Sequence, residues 1–302
     1  MIEKNVTSLS AIFLNAFDLR REEHAKGNVD GESMKNIDRI EELVNGVALR
    51  MIYKLNDAAF RPVFIRLMEW ASTGLPKKDA AGRRLRQLSV FGFLLSFFDA
   101  LKSIVTGYAS YMLDVAVGVL NNTAGLRGLF PSPEEKELWR KVLQTLAKCF
   151  EHDQDDFWQA PAHFDAVAPS LTSQFSLLEA TSQAPTATAT TTSTLELIEQ
   201  DLVPAIVELA HAADSADHQK SLNGALLRQL RSGHAGARLA AVRCEQALTA
   251  RLGEEWLAML PEMLPYISEL QEDDDEAVER ETHRWIVGIE GVLGESLDSM
   301  LQ

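Results

Sequence analysis

The stretch Leu260–Ile289, LPEMLPYISELQEDDDEAVERETHRWIVGI, decides the fold. Leu264, Ile267 and Leu270 recur at helical spacing around Pro265 and line one face of a first helix. Asp273, Asp274 and Asp275 then stand where a second helix begins. Short acidic side chains at that place accept hydrogen bonds from the free N–H groups of the first turn. Val278, Thr282, Trp285 and Ile289 share one face of the second helix. Two such helices, joined by a tight turn, cannot bury their apolar sides alone and must stack on a neighbouring pair. The expected fold class is all-α, a solenoid of helical hairpins, which offers extended surface rather than a pocket.

The spacing Pro265, Ile267, Leu270, Asp273, Val278 resembles the HEAT repeat, so the hairpins are expected to be HEAT-like. Two positions depart from that pattern. Glu279 stands where the repeat has arginine, and Thr282 where it has alanine, so the ladder of aspartate–arginine contacts between repeats is not expected here. Forty residues apart, Ala225 and Pro265 open corresponding helices, and Ala237, Arg238 and Ala241 match the valine-arginine-alanine positions after a turn one residue shorter. Two repeats are therefore expected near the end of the chain, with less regular hairpins before them.

Nearly everything upstream also reads as helix. The pattern Val6, Leu9, Phe13, Phe17 opens the chain inside a helix, as a segment of a longer protein would. A polar loop from Gly27 leads to Ser33 as the expected N-cap of a helix over 34–55, with Ile37, Ile40, Val44, Val47 and Met51 on one face. Arg61-Pro62-Val63-Phe64 opens another helix, and a long apolar one follows from about Leu85 to Val105. Ser132-Pro133-Glu134-Glu135 is a helix start with serine at the cap and proline in the first turn. Thr181 to Thr194 is rich in threonine, alanine and serine and has nothing to bury, so it reads as an exposed linker. The expected domains are a helical region 1–180, the linker 181–194 and the repeats 195–302.

Composition narrows the function classes. The chain has 302 residues and a formal charge of −15. Residues 195–302 hold eight Lys and Arg against 21 Asp and Glu, so most of that charge sits at the end and repels nucleic acid. Cys149 and Cys244 are too few and too isolated for a disulfide framework and fit a reducing compartment. The longest apolar run, Leu88 to Phe98, is too short to span a bilayer, so no membrane is expected. Trp70, Trp139, Trp158, Trp256 and Trp285 all read as core; Trp256, which begins its helix, is the one with room for partial exposure.

Catalytic and ligand-binding patterns are missing. Gly125-Leu126-Arg127-Gly128 lacks the lysine of a phosphate loop, and Asp153, Asp155 and Asp156 lack the glycine and glutamate of a calcium loop. His152 and His163 have no cysteine pair near them for zinc, and no nucleophile stands in a recognisable turn near His24 or His283. No enzyme activity, cofactor, metal or small-molecule substrate is expected. The one local signal for nucleic acid is a basic loop, Lys77, Lys78, Arg83, Arg84 and Arg86, offset by Asp79 alone. Five cations there could neutralise a few phosphates of RNA or contact an acidic partner. The residues between them are small, with no aromatic to stack on a base.

Three segments taken together carry a further resemblance: Arg61 through Trp70-Ala71, Phe164-Asp165 through Pro169-Ser170-Leu171, and Leu260-Pro261-Glu262 through the closing Leu293-Gly294-Glu295-Ser296-Leu297. In that order they resemble the C-terminal region of a family of very large HEAT-repeat proteins. It is called U-three small nucleolar RNA-associated protein ten in fungi and HEAT repeat-containing protein one, or BAP twenty-eight, in animals. The resemblance covers Ala58 to Gln302. It implies a non-catalytic scaffold of the small-subunit processome, placed in the nucleus and nucleolus. Such a scaffold acts in pre-rRNA transcription and processing toward 18S rRNA. Implied partners are other processome proteins and pre-rRNA or snoRNA within the ribonucleoprotein particle. The alternative is a HEAT-repeat adaptor in another process, such as nuclear transport or phosphatase scaffolding.

Overall fold

The computed structural model describes residues 5–27, 30–126, 130–179, 193–297 and 300–301. The described residues are helical almost throughout and contain no strand, as one-sided apolar patterns of period 3.6 require. The helices are α1 (Val6–Phe17), α2 (Leu19–Ala25), α3 (Gly31–Ile52), α4 (Asp57–Ser72), α5 (Ala80–Leu101), α6 (Ala109–Ala124) and α7 (Pro133–Glu151). After these come α8 (Pro161–Thr172), α9 (Val203–Ala213), α10 (Ala216–Leu230), α11 (Ala235–Leu252), α12 (Leu260–Leu270) and α13 (Glu276–Leu293). Of the expected linker 181–194, all but Ser193 and Thr194 lies outside the described residues; those two begin a helical stretch, and Thr194 is buried. The chain folds into two compact units, 1–115 with 131–148, and 116–130 with 149–302.

The first unit is built around α5. From Leu88 to Phe98 this helix is apolar on nearly every side, and α1, α2, α3 and α4 all pack on the helix. Phe91, Leu94 and Phe97 are fully buried. Ala80–Ala124 is long and apolar enough to cross a membrane by length and composition, more than the run Leu88–Phe98 alone suggests. Within the unit, the apolar surface of α5 is covered by protein instead. Phe60, Phe64, Phe97 and Tyr108 form a ring cluster with centroids 5.0–5.9 Å apart. Pro62 lies inside α4 rather than at its start, because Asn56 caps the helix earlier by accepting from the N–H of Ala59.

Helix α3 departs most from the sequence pattern. Its cap is Asp30, which accepts from the Ser33 N–H, so the helix starts before Ser33. Its buried face is Ile37, Glu41, Asn45, Ala48 and Ile52, whereas Ile40, Leu43 and Val47 are exposed. The cause is electrostatic. Arg20 of α2 is buried, and a buried guanidinium needs a carboxylate. Glu41 turns inward to supply it, with Arg20 Nε and Nη2 at 3.0 and 2.6 Å from its two oxygens. Ser89 Oγ of α5 donates to the same carboxylate at 2.6 Å.

The second unit contains the hairpins. Helices α10 and α11 form one and α12 and α13 the next; α10 packs on α12, and α11 packs on both α9 and α13. Helix α8 packs on α9 and α10, so the unit has two layers, α8–α10–α12 and α9–α11–α13. Ala225 and Pro265 lie inside the first helices of the two hairpins instead of opening them. Ile267, Leu270 and Val278 are buried, as are Thr282, Trp285 and Ile289. Trp256 is fully buried, as its reading as core requires, and Glu245 accepts its indole N–H at 2.8 Å inside the core.

An aspartate–arginine rung is present after all. Arg238 of α11 donates from Nε and Nη2 to the two carboxylate oxygens of Asp273, both at 2.7 Å. Its Nη1 also donates to the carbonyl of Ser232 at 2.9 Å. One guanidinium thus ties its own turn to the turn of the next hairpin. The rung needs arginine from the earlier repeat and aspartate from the later one, so Glu279 does not interrupt it. Asp275, two residues on, caps α13 by accepting from the Ala277 and Val278 N–H groups. The Leu293–Leu297 ending is a helix stop. Gly294 takes φ +74, which favours glycine, and Glu290 then accepts the Leu297 N–H at 2.9 Å over the buried Leu297 side chain.

Two outcomes are expected from this core. Arg238→Ala and Asp273→Asn should each cost about 1–3 kcal/mol in urea unfolding. Their double mutant should show a coupling energy above about 1 kcal/mol; a coupling near zero would remove the rung as an energetic link. Glu245 is the second case. Burial pushes its carboxyl up to about 8, against a smaller opposing pull from the Trp256 N–H. Folded protein therefore holds a proton that the unfolded chain releases near the ordinary value of 4.5, and this group's contribution to stability falls as pH rises between those two values. Glu245→Gln should raise the melting temperature more at pH 8 than at pH 5, as read by scanning calorimetry at both.

Candidate functional site

The expected basic loop is only partly a loop: Lys77 and Lys78 lie in the turn between α4 and α5 in the first unit, Arg83, Arg84 and Arg86 lie in the first turns of α5, and the five cations do different jobs. Asp79 caps α5 through the Gly82 N–H at 2.9 Å, which fixes where the loop ends. Arg83 folds back, its Nη2 donating to the carbonyls of Pro76 and Lys77 at 3.3 and 3.2 Å. Arg84 is exposed and pairs with Glu135 of α7 at 2.5 Å. Lys77 and Lys78 are exposed and make no ion pair among the described residues.

Arg86 departs from the expected patch. It is 7% exposed, and its guanidinium is bidentate on Asp18, at 2.8 and 3.0 Å. The same group stacks over the Trp70 ring, 4.2 Å from its centroid. Burial raises the Asp18 pKa, but hydrogen bonds and charge from Arg21 and Arg86 outweigh it and hold the carboxyl at about 2. This anchor is internal and has no face to offer a phosphate. Part of the signal for it is in the sequence: α5 is apolar all round from Leu88 on, so a cation two residues earlier lies at the edge of a core.

The remaining chemistry is that of a packed interior. Cys149 and Cys244 are free and buried, and burial, helped by the nearby Asp153 or Glu245 carboxyl, pushes both thiols up and away from reactivity. Among the described residues, no group of three or more His, Cys, Asp or Glu is placed to hold a metal. The sequence-marked repeat positions fall together in the second unit: Asp273 carries the rung, Ile267, Leu270 and Val278 the core between α12 and α13, and Pro265 an exposed position on α12. The Arg238 half of the rung was legible as a repeat position, but its reach into the following turn was not.

Comparison with known proteins supplies the lineage. Residues 1–158 match the BP28CT (NUC211) domain. The chain is 60% identical over 301 residues to the U3 small nucleolar RNA-associated protein 10 of Chaetomium globosum, a match that takes in 100% of this chain and 16% of that protein. The proteins of the same name in Neurospora crassa and Pyricularia oryzae are 58% and 55% identical, again over 100% of this chain and 15% and 16% of theirs. The chain thus spans about one sixth of the length of these relatives. The matched domain takes in more than half of the chain, including the loop, its Asp18–Arg86 anchor and α5, and on that ground the protein belongs to the BP28CT (NUC211) domain family.

Proposed function

We propose that this chain is part of a non-catalytic scaffold in ribosome biogenesis, within the small-subunit processome, acting in pre-rRNA transcription and processing toward 18S rRNA. The observation that carries this reading is 60% identity along the whole chain to a protein named for association with the U3 small nucleolar RNA. In this reading the place of action is the nucleolus. The partners are other processome proteins, with pre-rRNA or snoRNA bound directly or through them, and no membrane, cofactor or small-molecule substrate takes part.

The mechanism is geometric. Layered hairpins such as α10–α11 and α12–α13 present helix faces and turns as fixed contact surface, and their packing means little ordering entropy is lost on binding. RNA contact, where this chain makes it, falls to the exposed cations of the basic loop. Lys77 and Lys78 carry it, with Arg84 shared between Glu135 and a ligand. Arg83 shapes the loop and Arg86 anchors it from inside. The strongly acidic 195–302 region favours protein partners over nucleic acid.

Affinity purification of the tagged full-length protein from a fungal cell, with sequencing of bound RNA, tests the reading. Enrichment of U3 snoRNA and pre-rRNA is expected; cytoplasmic cargo with no enrichment of either would sink it. For the loop, Lys77→Glu with Lys78→Glu should weaken RNA binding by the purified chain without changing its melting temperature. The slope of log affinity against log salt should fall by about 1.4, two phosphate contacts on a single strand. Arg86→Ala, in contrast, should destabilise the fold.

A further inference from the structure

A cleft of about 310 Å³ in the first unit lies outside the basic loop and has the opposite sign. Its walls come from α3, α5 and α7, with Arg20 of α2 at one edge. Four carboxylates line it, Asp38, Glu41, Glu42 and Glu137, against two cations, Arg20 and Lys141. Glu137 is already held by Arg140 at 3.4 Å and Lys141 at 3.8 Å, which leaves Asp38 and Glu42 as the carboxylates open to a ligand. Glu41 is fully used inside by Arg20 and Ser89. Asp38 takes only one contact from Arg20, at 2.5 Å, with its side chain 59% exposed. Glu42 is exposed and makes no ion pair among the described residues. Asn45, 7% exposed, is a wall of the same cleft, and its amide oxygen is buried with no hydrogen-bond partner. A buried amide acceptor left unpaired costs free energy unless a donor arrives.

The floor is shaped for a side chain. Leu88 and Leu95 line it with apolar surface, and Gly92 stands between them one helical turn from each. A Cβ at Gly92 would meet nothing within 4 Å, so the missing side chain leaves open space rather than relieving a clash. The carboxylates do not converge as metal ligands do. What fits instead is a cation whose charge is spread over several N–H donors and carried on an apolar stem. Arg20 already shows these walls holding one guanidinium. We propose that the cleft takes a second one, an arginine side chain presented by a protein partner, with its stem on Leu88 and Leu95 and its head among Asp38, Glu42 and Asn45.

The cleft alone carries this proposal, which does not require the ribosome-assembly reading; particle association and arginine binding can fail independently. The test uses the 302-residue chain and a dye-labelled peptide of alternating glycine and arginine, with its citrulline twin as a neutral control of the same shape, followed by fluorescence anisotropy. The citrulline peptide should bind at least tenfold more weakly. Gly92→Leu, which fills the floor without removing a charge, and Glu42→Arg, an exposed change, should each weaken the arginine peptide at least fivefold with folding intact by melting temperature. Glu272→Arg, in the acidic turn of the second unit, should leave binding unchanged. Equal binding of both peptides would overturn the proposal, as would no effect of Glu42→Arg. An equal loss with Glu272→Arg would also overturn it, because it would reduce the binding to bulk attraction by the acidic chain. Should Gly92→Leu fail to fold, the Glu42→Arg and Glu272→Arg pair decides the matter alone.

Discussion

A helical hairpin with one apolar side is stable only against another hairpin. That constraint sets the form of the second unit, where α9, α11 and α13 make one layer and α8, α10 and α12 the other. Burial of apolar area is non-directional and would tolerate sliding of one hairpin on the next. The Arg238–Asp273 rung is directional. A planar guanidinium on a carboxylate, held also to the Ser232 carbonyl, fixes which turn faces which. Stacking supplies the affinity between hairpins, and the rung supplies their register.

The first unit solves a different problem. A helix apolar all round, α5, has to be surrounded, and some of its neighbours bring charge with them. Arg86 at its start and Arg20 at its flank are both buried, and each is satisfied by a carboxylate from elsewhere in the unit, Asp18 at the junction of α1 and α2 and Glu41 of α3. Removing one partner of such a pair leaves an uncompensated charge inside the protein. These two pairs specify the packing of α2 and α3 on α5 as much as the phenylalanine cluster does. They also explain why the exposed cations are few. Of the basic residues near the loop, one is spent inside, one on the loop carbonyls and one on α7.

The sequence carried the helices and most of their inward faces, because period 3.6 is a local property. Val278, Thr282, Trp285 and Ile289 lie inward as their spacing required, and Ser132 caps α7 as its neighbours indicated, accepting from the Glu135 N–H. It misled at α3, where Ile40 and Val47 lie outside and Glu41 and Asn45 inside. The reason is not local: the helix is rotated by a partner 21 residues away, Arg20. Arg86 was misplaced for the same kind of reason, its partner being 68 residues distant. The acidic cleft was invisible in the sequence because its walls come from separate helices and its floor is defined by the side chain that Gly92 does not have.

One consequence concerns the proton count of the molecule. The formal charge of −15 assumes every carboxylate is ionised. With Glu245 titrating near 8, the folded protein at neutral pH keeps one of them as a neutral acid beneath Trp256. Unfolding hands that proton to the solvent. The heat absorbed on melting therefore includes the buffer's own heat of protonation, and calorimetric enthalpies taken in phosphate and in Tris will differ by close to one proton's worth of the difference between the two buffers.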